Sequence, residues 1–349
     1  MATPGTQYMM QACLAADMSS SPHPKPVDPY LSDPVSMLPP GLTPDSNSRI
    51  TLRGVSGKDV LIPCLSIGAW SWGDKATFDY NPTRDLPRIH AAWAKLKAVG
   101  LTFVDTAQSY GDGESERICG ILFRDMPRDS FVVQTKWLST PDITNTVLQS
   151  GGPKSKLKDS LVRLQLDYVD IYLVQGPIHP SKISIVAKGM AGCVKSGMAR
   201  AVGVANYDTN EMIKMADELA KHDVPLSVCQ CEYSVVRRLP EVTEGRLSGK
   251  YSTFNEPQQR RRFSSYPMRM LEPTINVLKS IAEERHVSVP AVALNYSINK
   301  GVLPLVGVRD AGQAEQDMQA LGWRLTEDEI KQIEGVSLQG RRSSFMQHG

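Results

Sequence analysis

The sequence holds no apolar run near the roughly 18 residues that a membrane-spanning helix needs. It also has almost no net charge, with 39 Lys and Arg against 37 Asp and Glu, a formal +2. A balance this close gives no reason to expect a nucleic acid held by bulk charge. Cysteine is scarce: six in 349 residues, at positions 13, 64, 119, 193, 229 and 231, too sparse for a disulfide scaffold. These thiols are expected to be reduced and mostly buried, which points to the cytoplasm. Cys229 and Cys231 flank Gln230 in an expected strand and so share a face. With no second pair or histidine cluster nearby, zinc's usual ligand sets are not met, and no metal site is expected. What remains is ordinary for a soluble globular protein, 41% hydrophobic and 22% charged, with length for one large domain or two medium ones.

Residues 1–48 stand apart. They carry nine of the 24 prolines, from Pro4 to Pro44. Proline at this density opposes both helix and sheet, so the segment is expected to be a disordered tail. A transit peptide would be rich in arginine and poor in acids. Here Lys25 faces Asp17, Asp28, Asp33 and Asp45. The folded unit is expected over residues 49–340, with 341–349 a flexible end.

From Ile50 onward the chain alternates. Ile50–Pro63 reads as two short strands around a turn at Gly57. Then come seven apolar runs: Cys64–Trp70, Leu101–Thr106, Phe131–Lys136, Val169–Gln175, Ala201–Asn206, Leu226–Gln230 and Val302–Val308. Their near-continuous Val, Ile and Leu content suits strands covered on both faces. Helical stripes separate them: Ile89, Trp93 and Leu96 after a cap at Asp85 and before a stop at Gly100, and then Leu157, Leu161 and Leu164. Strand–helix alternation implies right-handed crossovers and a parallel sheet. Seven runs in this length favour a (β/α)₈ TIM barrel, an α/β fold, over an open sheet, though one strand short.

Polarity gathers at the ends of these runs. Asp105, Lys136, Gln175, Asn206 and Gln230 close five of them in turn, and in a parallel barrel all strand C-termini meet at one rim, where catalytic groups sit. A lysine near a barrel interior needs a partner to stay charged, and Asp105 is the nearest candidate. Five residues after Asp105 stands Tyr110. An ammonium beside a phenol favours phenolate, which is expected to lower the Tyr110 pKa and make it a proton donor. A donor without a metal cluster or a Ser-His-Asp set suits protonation of a carbonyl oxygen while hydride arrives from elsewhere. No side chain supplies hydride, so a nicotinamide cofactor is implied. Trp70, Trp72 and Trp137 follow strand ends and either wall the substrate mouth or belong to the core. Arg260–Arg262 reads as a solvated basic loop ahead of a phosphate contact.

These features resemble the aldo-keto reductase superfamily over residues 50–336. The resemblance is carried by Gly68-Ala-Trp70-Ser-Trp72-Gly73-Asp74, Asp105-Thr-Ala-Gln-Ser-Tyr110-Gly111-Asp-Gly-Glu-Ser-Glu116, Thr135-Lys136-Trp137, Leu164-Gln-Leu-Asp-Tyr-Val-Asp170, Gly203-Val-Ala-Asn206-Tyr207 and Pro304-Leu-Val-Gly307-Val-Arg309 with Gln313 following. The sequence is most similar to the fungal branch related to pyridoxal reductases and to reductases of secondary metabolism, keto-acid reductases of cyclic depsipeptide synthesis among them. The resemblance implies a barrel that binds extended NADPH and reduces a small carbonyl. By motif position it makes Tyr110 the general acid, Lys136 its partner and Asp105 the anchor of Lys136. It gives Asn206 and Gln230 the nicotinamide carboxamide, and Gly307, Arg309 and Gln313 the 2′-phosphate and adenosine end. An arginine there favours NADPH over NADH, since its forked donors match a phosphate. Gly245-Arg-Leu247-Ser-Gly249-Lys250 resembles the family's pyrophosphate loop; its glycine spacing is not that of a P-loop.

The sequence departs from the family pattern in three places. Gln175 replaces the catalytic histidine; an amide can orient a carbonyl but cannot relay protons as imidazole does. His179, four residues on, is a weaker substitute. This change keeps open a shift towards C=C reduction of an enone. Ala205 replaces a serine, and Gln316-Asp317 stands for the adenine-side pair, each change weakening cofactor contacts by about 1 kcal/mol per lost hydrogen bond. Lastly, only ten residues, Val235–Glu244, lie where helix 6 and strand 7 belong, too few for both. The barrel is therefore expected to lack that helix and strand, leaving two unpaired edges. That gap, with Gln175, also keeps open a non-catalytic NADPH-binding or interaction protein.

Overall fold

In a computed structural model, the structure describes the backbone of residues 7–11 and all of 43–55, 58–139, 152–179, 181–231, 235 and 268–337. The seven apolar runs form seven strands: β4 (Ser66–Gly68), β5 (Phe103–Asp105), β6 (Val132–Trp137), β7 (Val169–Val174), β8 (Ala199–Ala205), β9 (Leu226–Cys231) and β10 (Leu303–Gly307). β10 pairs parallel with β4, and β4 to β9 follow one another in parallel register. Every residue of β6 and β7 is buried, as their unbroken apolar character requires of strands with helices outside and packed side chains inside.

The ring is closed by an unexpected piece. The earliest strand, β1 (Gln7–Gln11), lies between β9 and β10 and runs antiparallel to both. The expectation of a disordered tail over residues 1–48 therefore does not hold at Gln7–Gln11. The physical reason lies in where the prolines fall. Pro4 precedes this segment and Pro22 follows it, so Gln7–Gln11 keeps the backbone N–H groups a ladder needs. Residues 12–42 lie outside the described residues. Among the described residues the ring holds seven parallel strands, with β1 as its eighth member; apart from Val235, the stretch Val235–Glu244, where a seventh parallel strand was not expected to fit, lies outside the described residues.

Outside the barrel, β2 (Arg49–Leu52) and β3 (Val60–Pro63) form the expected hairpin. It sends Ile50, Leu52, Val60 and Ile62 into the main core, and Ser227 donates to the Arg53 carbonyl at 2.6 Å. The Gly57 turn lies outside the described residues.

The helices follow their caps. α1 is the short Lys75–Phe78. α2 (Pro82–Ala98) buries Ile89, Trp93 and Leu96. Its cap is Asn81, whose side chain accepts from the N–H groups of Thr83 and Arg84, with Pro82 at the first helical position. This corrects the expected cap: Asp85 sits within the first turn and accepts from the Asn81 N–H at 2.9 Å. α3 (Glu114–Phe123), α4 (Gly152–Leu164), α5 (Ile183–Lys195) and α6 (Thr209–Ala220) each follow a strand. Leu157, Leu161 and Leu164 of α4 are all buried, as the stripe predicts. α7 (Met268–Arg285), α8 (Val289–Asn299) and α10 (Glu327–Val336) share a second apolar cluster around Leu271, Leu278 and Tyr296. α9 (Ala311–Met318) follows β10 directly.

Candidate active site

All seven parallel strands end at one rim, and a small cavity opens there, lined by Tyr110, Lys136, Gln175, Ala205, Asn206, Gln230 and Cys231. Five polar residues expected from the strand ends and loops thus meet around one space. Asp105 lies just beneath, in contact with Lys136.

Tyr110 is placed by a tight turn after β5. Gly111, Asp112 and Gly113 adopt φ of 54°, 53° and 85°, a left-handed run that favours glycine. A Cβ on Gly111 would stand 2.6 Å from the Gly73 carbonyl carbon, so only a residue without a side chain lets the two loops touch. The turn leaves Tyr110 5% exposed, with its ring 6.1 Å from that of Trp70.

Lys136, on β6, is 1% exposed. Its Nζ lies 2.6 and 2.7 Å from the two carboxylate oxygens of Asp105, 3.0 Å from the Thr106 carbonyl and 3.0 Å from Tyr110 Oη. An ammonium has three protons and no acceptor. These three groups use them all, so at Lys136 the phenol oxygen accepts, and its own proton is left for an acceptor on another side. Burial works against the Lys136 charge, but Asp105 and Tyr110 outweigh it and hold the amine above the ordinary lysine value. Burial raises the Asp105 carboxyl, against the pull of Lys136 and of the Gln134 and Gln230 amides. The Tyr110 phenol is likewise raised by burial, with Lys136 pulling down and Asp105 pushing up. The expected lowering of its pKa is thus corrected: the ammonium is present, but desolvation of a buried phenolate is the larger effect.

Gln134 was not among the expected site residues. Two positions before Lys136 on β6, it points to the same face of the strand. Its Nε2 donates to Asp105 Oδ1 at 2.5 Å and to Gln230 Oε1 at 2.9 Å, joining the acid–base pair to the neighbouring amide. The signal was available: Gln134 is a second polar residue within the same apolar run. Ser109 was also missed; its hydroxyl donates to Gln175 Oε1 at 3.1 Å.

Gln175 follows β7 and occupies the place expected of it, its backbone N–H donating to the Trp137 carbonyl at 2.9 Å. Asn206 Nδ2 reaches the Gln175 carbonyl at 3.4 Å. His179 does not line the cavity; its Nδ1 meets the Ser181 carbonyl at 2.5 Å. Of the three tryptophans, Trp70 stands beside Tyr110 and Phe78. Trp72 and Trp137 are each 1% exposed and do not line the cavity. The Trp72 indole donates to the Val308 carbonyl at 2.7 Å, so it acts as a core anchor.

The expected phosphate-side residues gather at the end of β10. Gly307 pairs with Gly68 at the rim. The Arg309 N–H donates to Gln313 Oε1 at 2.8 Å, and its guanidinium lies 3.8 Å from Asp85 and 3.5 Å from the Phe78 carbonyl. Asp310 caps α9 by accepting from the Gln313 N–H. Asp317 is buried within α9, and burial, with Asp310 adding, pushes its carboxyl well up; it presents no exposed charge to an adenine. Gly245, Leu247, Gly249, Lys250 and Arg260–Arg262 lie outside the described residues. No cluster of metal-ligating side chains occurs among the described residues, and no helix there is long and apolar enough to cross a membrane.

Comparison with known proteins agrees with this geometry. The chain is 29% identical over 316 residues to the chloroplastic pyridoxal reductase of Arabidopsis thaliana, covering 80% of this chain and 84% of that protein. It is 25% identical over 332 residues to the L-glyceraldehyde 3-phosphate reductase of Escherichia coli O157:H7, covering 83% and 93%. In fold it resembles a thermostable aldo-keto reductase crystallised with the inhibitor epalrestat, with TM-score 0.62 and 24% identity over 83% of this chain and 100% of that one. It also resembles an aldo-keto reductase from Klebsiella pneumoniae in complex with NADPH, with TM-score 0.59 and 22% identity over 84% and 97%. The profile of the Aldo/keto reductase family matches residues 64–244 and 241–338; with the rim cavity and the Tyr110–Lys136–Asp105 cluster already in place, the chain belongs to the aldo/keto reductase family of oxidoreductases.

Proposed function

We propose that this protein reduces a small aldehyde or ketone to the alcohol with NADPH, in the cytoplasm, with Tyr110 as the general acid. The observation that carries this reading is the direction of the Lys136–Tyr110 hydrogen bond. Lys136 donates to the phenol oxygen, so the phenol proton is available on the cavity side.

The residues present fit the cofactor in its nicotinamide half. Asn206 and Gln230 bring two amide side chains to one cavity, beside the small wall of Ala205, and a carboxamide needs both donor and acceptor. The other half of the dinucleotide would be held by Gly307, Arg309 and Gln313 at the end of β10. Bound there, NADPH supplies the hydride. Tyr110 transfers its proton to the carbonyl oxygen as charge builds on it. Lys136 stabilises the phenolate left behind, and Asp105 holds Lys136 in place. Gln175, oriented by Ser109, offers its amide to the same oxygen. Arg309, now packed toward Asp85, is the residue for the 2′-phosphate.

Two of the relatives carry aldehyde-reductase names, which supports a pyridoxal-like aldehyde as one substrate class. A 2-keto acid of secondary metabolism is the other, by resemblance to the fungal branch. Gln175 gives a C=C reductase its one point of support, since an amide in place of imidazole weakens activation of a carbonyl. Product analysis separates the readings. Incubated with NADPH and an enone that also carries an aldehyde, the protein should yield the allylic alcohol; the saturated aldehyde would displace the carbonyl reading. NADPH that quenches tryptophan emission, with no turnover across a panel of reactive carbonyls, would leave a binding protein only.

A further inference from the structure

The junction between β9 and β10 carries an inference of its own, which rests on the cofactor site proposed above. β9 ends in Gln230 and Cys231, which line the cavity. β10 ends in Gly307, two residues before Arg309. The nicotinamide end and the phosphate end of that site thus stand on two strands that do not pair with each other. Among the described residues, β1 alone lies between them in the ring. Met9, Met10 and Gln11 register with Cys231, Gln230 and Cys229 on one side. Gln7, Tyr8, Met9 and Met10 register with Val306, Leu305, Pro304 and Leu303 on the other. The first residues of β1 therefore lie at the rim, and the strand descends from there into the barrel wall.

We propose that Gln7–Gln11 is a built-in replacement strand whose docking assembles the cofactor site, so that strand docking and NADPH binding reinforce each other. Without it, β9 and β10 present two open edges whose N–H and C=O groups have no ladder partner among the described residues, and no other described strand fixes the spacing of the two halves. The sequence of the segment suits the role. Gln-Tyr-Met-Met-Gln is uncharged and lies in the stretch of the tail between Pro4 and Pro22. By linkage, a ligand that needs the closed ring must stabilise the closed ring by the same factor.

Two measurements test this. The first concerns location. Residues directly opposite in an antiparallel pair share a face, so Met9→Cys should form a disulfide with Cys231 under mild oxidation, detected by non-reducing peptide mapping. Met10→Cys, registered with Gln230 on the alternate face, should not. Equal cross-linking from both positions, or none from Met9→Cys, overturns the placement. The second concerns coupling. Removing residues 1–12 should weaken NADPH binding at least tenfold by tryptophan quenching and speed amide exchange in Leu226–Cys231 and Leu303–Gly307. A synthetic peptide of residues 1–16, present during refolding, should restore both. NADPH added to the full chain should slow exchange in Gln7–Gln11. A truncated protein that binds NADPH as tightly as the full chain, or one that the peptide does not restore, overturns the coupling. Failure of the full chain to bind NADPH would instead count against the cofactor reading, and the Met9→Cys cross-link would stand apart from it.

Discussion

At the scale of single residues, the chemistry depends on which way one proton points. Tyr110→Phe removes that proton but keeps the ring against Trp70. Reduction should fall by about 10²–10⁴-fold, the usual worth of a general acid, while the NADPH dissociation constant measured by fluorescence changes little. The raised phenol sets the pH behaviour. A donor must be protonated, so carbonyl reduction should stay flat through neutral pH and decline only above the ordinary tyrosine value of about 10. Alcohol oxidation, which needs the phenolate, should rise over the same range. A decline near pH 7 in steady-state profiles would show that another group limits the rate. Gln134→Leu takes one donor from Asp105 and from Gln230 together. About 1–1.5 kcal/mol for such a bond corresponds to roughly tenfold in kcat/KM, with weaker NADPH binding beside it. Most of these residues were legible because a polar side chain inside an apolar run has few structural excuses. Gln134 met the same criterion, and period-two spacing from Lys136 would have found it. The sign of the Tyr110 shift was not legible, because it depends on how completely the fold removes water from the phenol.

At the scale of elements, seven runs became seven strands because burial on both faces leaves an unambiguous apolar signature. The turn that follows β5 shows how a short element controls chemistry. Gly111→Ala would put a Cβ into the Gly73 backbone at a left-handed position, which itself costs about 1–2 kcal/mol for an L-residue. Its turnover should drop more than its melting temperature, since the turn carries Tyr110 but little of the core. At the opposite end of the barrel, Asp170 on β7 accepts from the Val133 N–H and pairs with Arg128 at 2.7 Å and Arg200 at 3.3 Å. Asp170→Ala leaves that buried N–H without its acceptor and should cost about 3 kcal/mol of stability, seen as a lower urea midpoint with an unchanged substrate preference. β1 was not legible for the opposite reason to its seven neighbours. Its five residues carry no alternation strong enough to notice, and averaging over a proline-rich tail hid the stretch between Pro4 and Pro22.

At the scale of the whole molecule, the protein is a parallel barrel in which one position is filled from outside the repeating pattern. Four of the five described cysteines are buried and none of the five is in a disulfide. The melting temperature should therefore be indifferent to reductant, and a shift with dithiothreitol in a thermal scan would show otherwise. The order of synthesis gives the closing strand its most general consequence. Gln7–Gln11 is made before both of its partners, by more than 200 residues for Leu226–Cys231 and by nearly 300 for Leu303–Gly307. The nascent chain cannot pair this segment with either strand until that strand has been made, and the contacts it finally makes are among the most distant in the sequence, the kind that slow folding most.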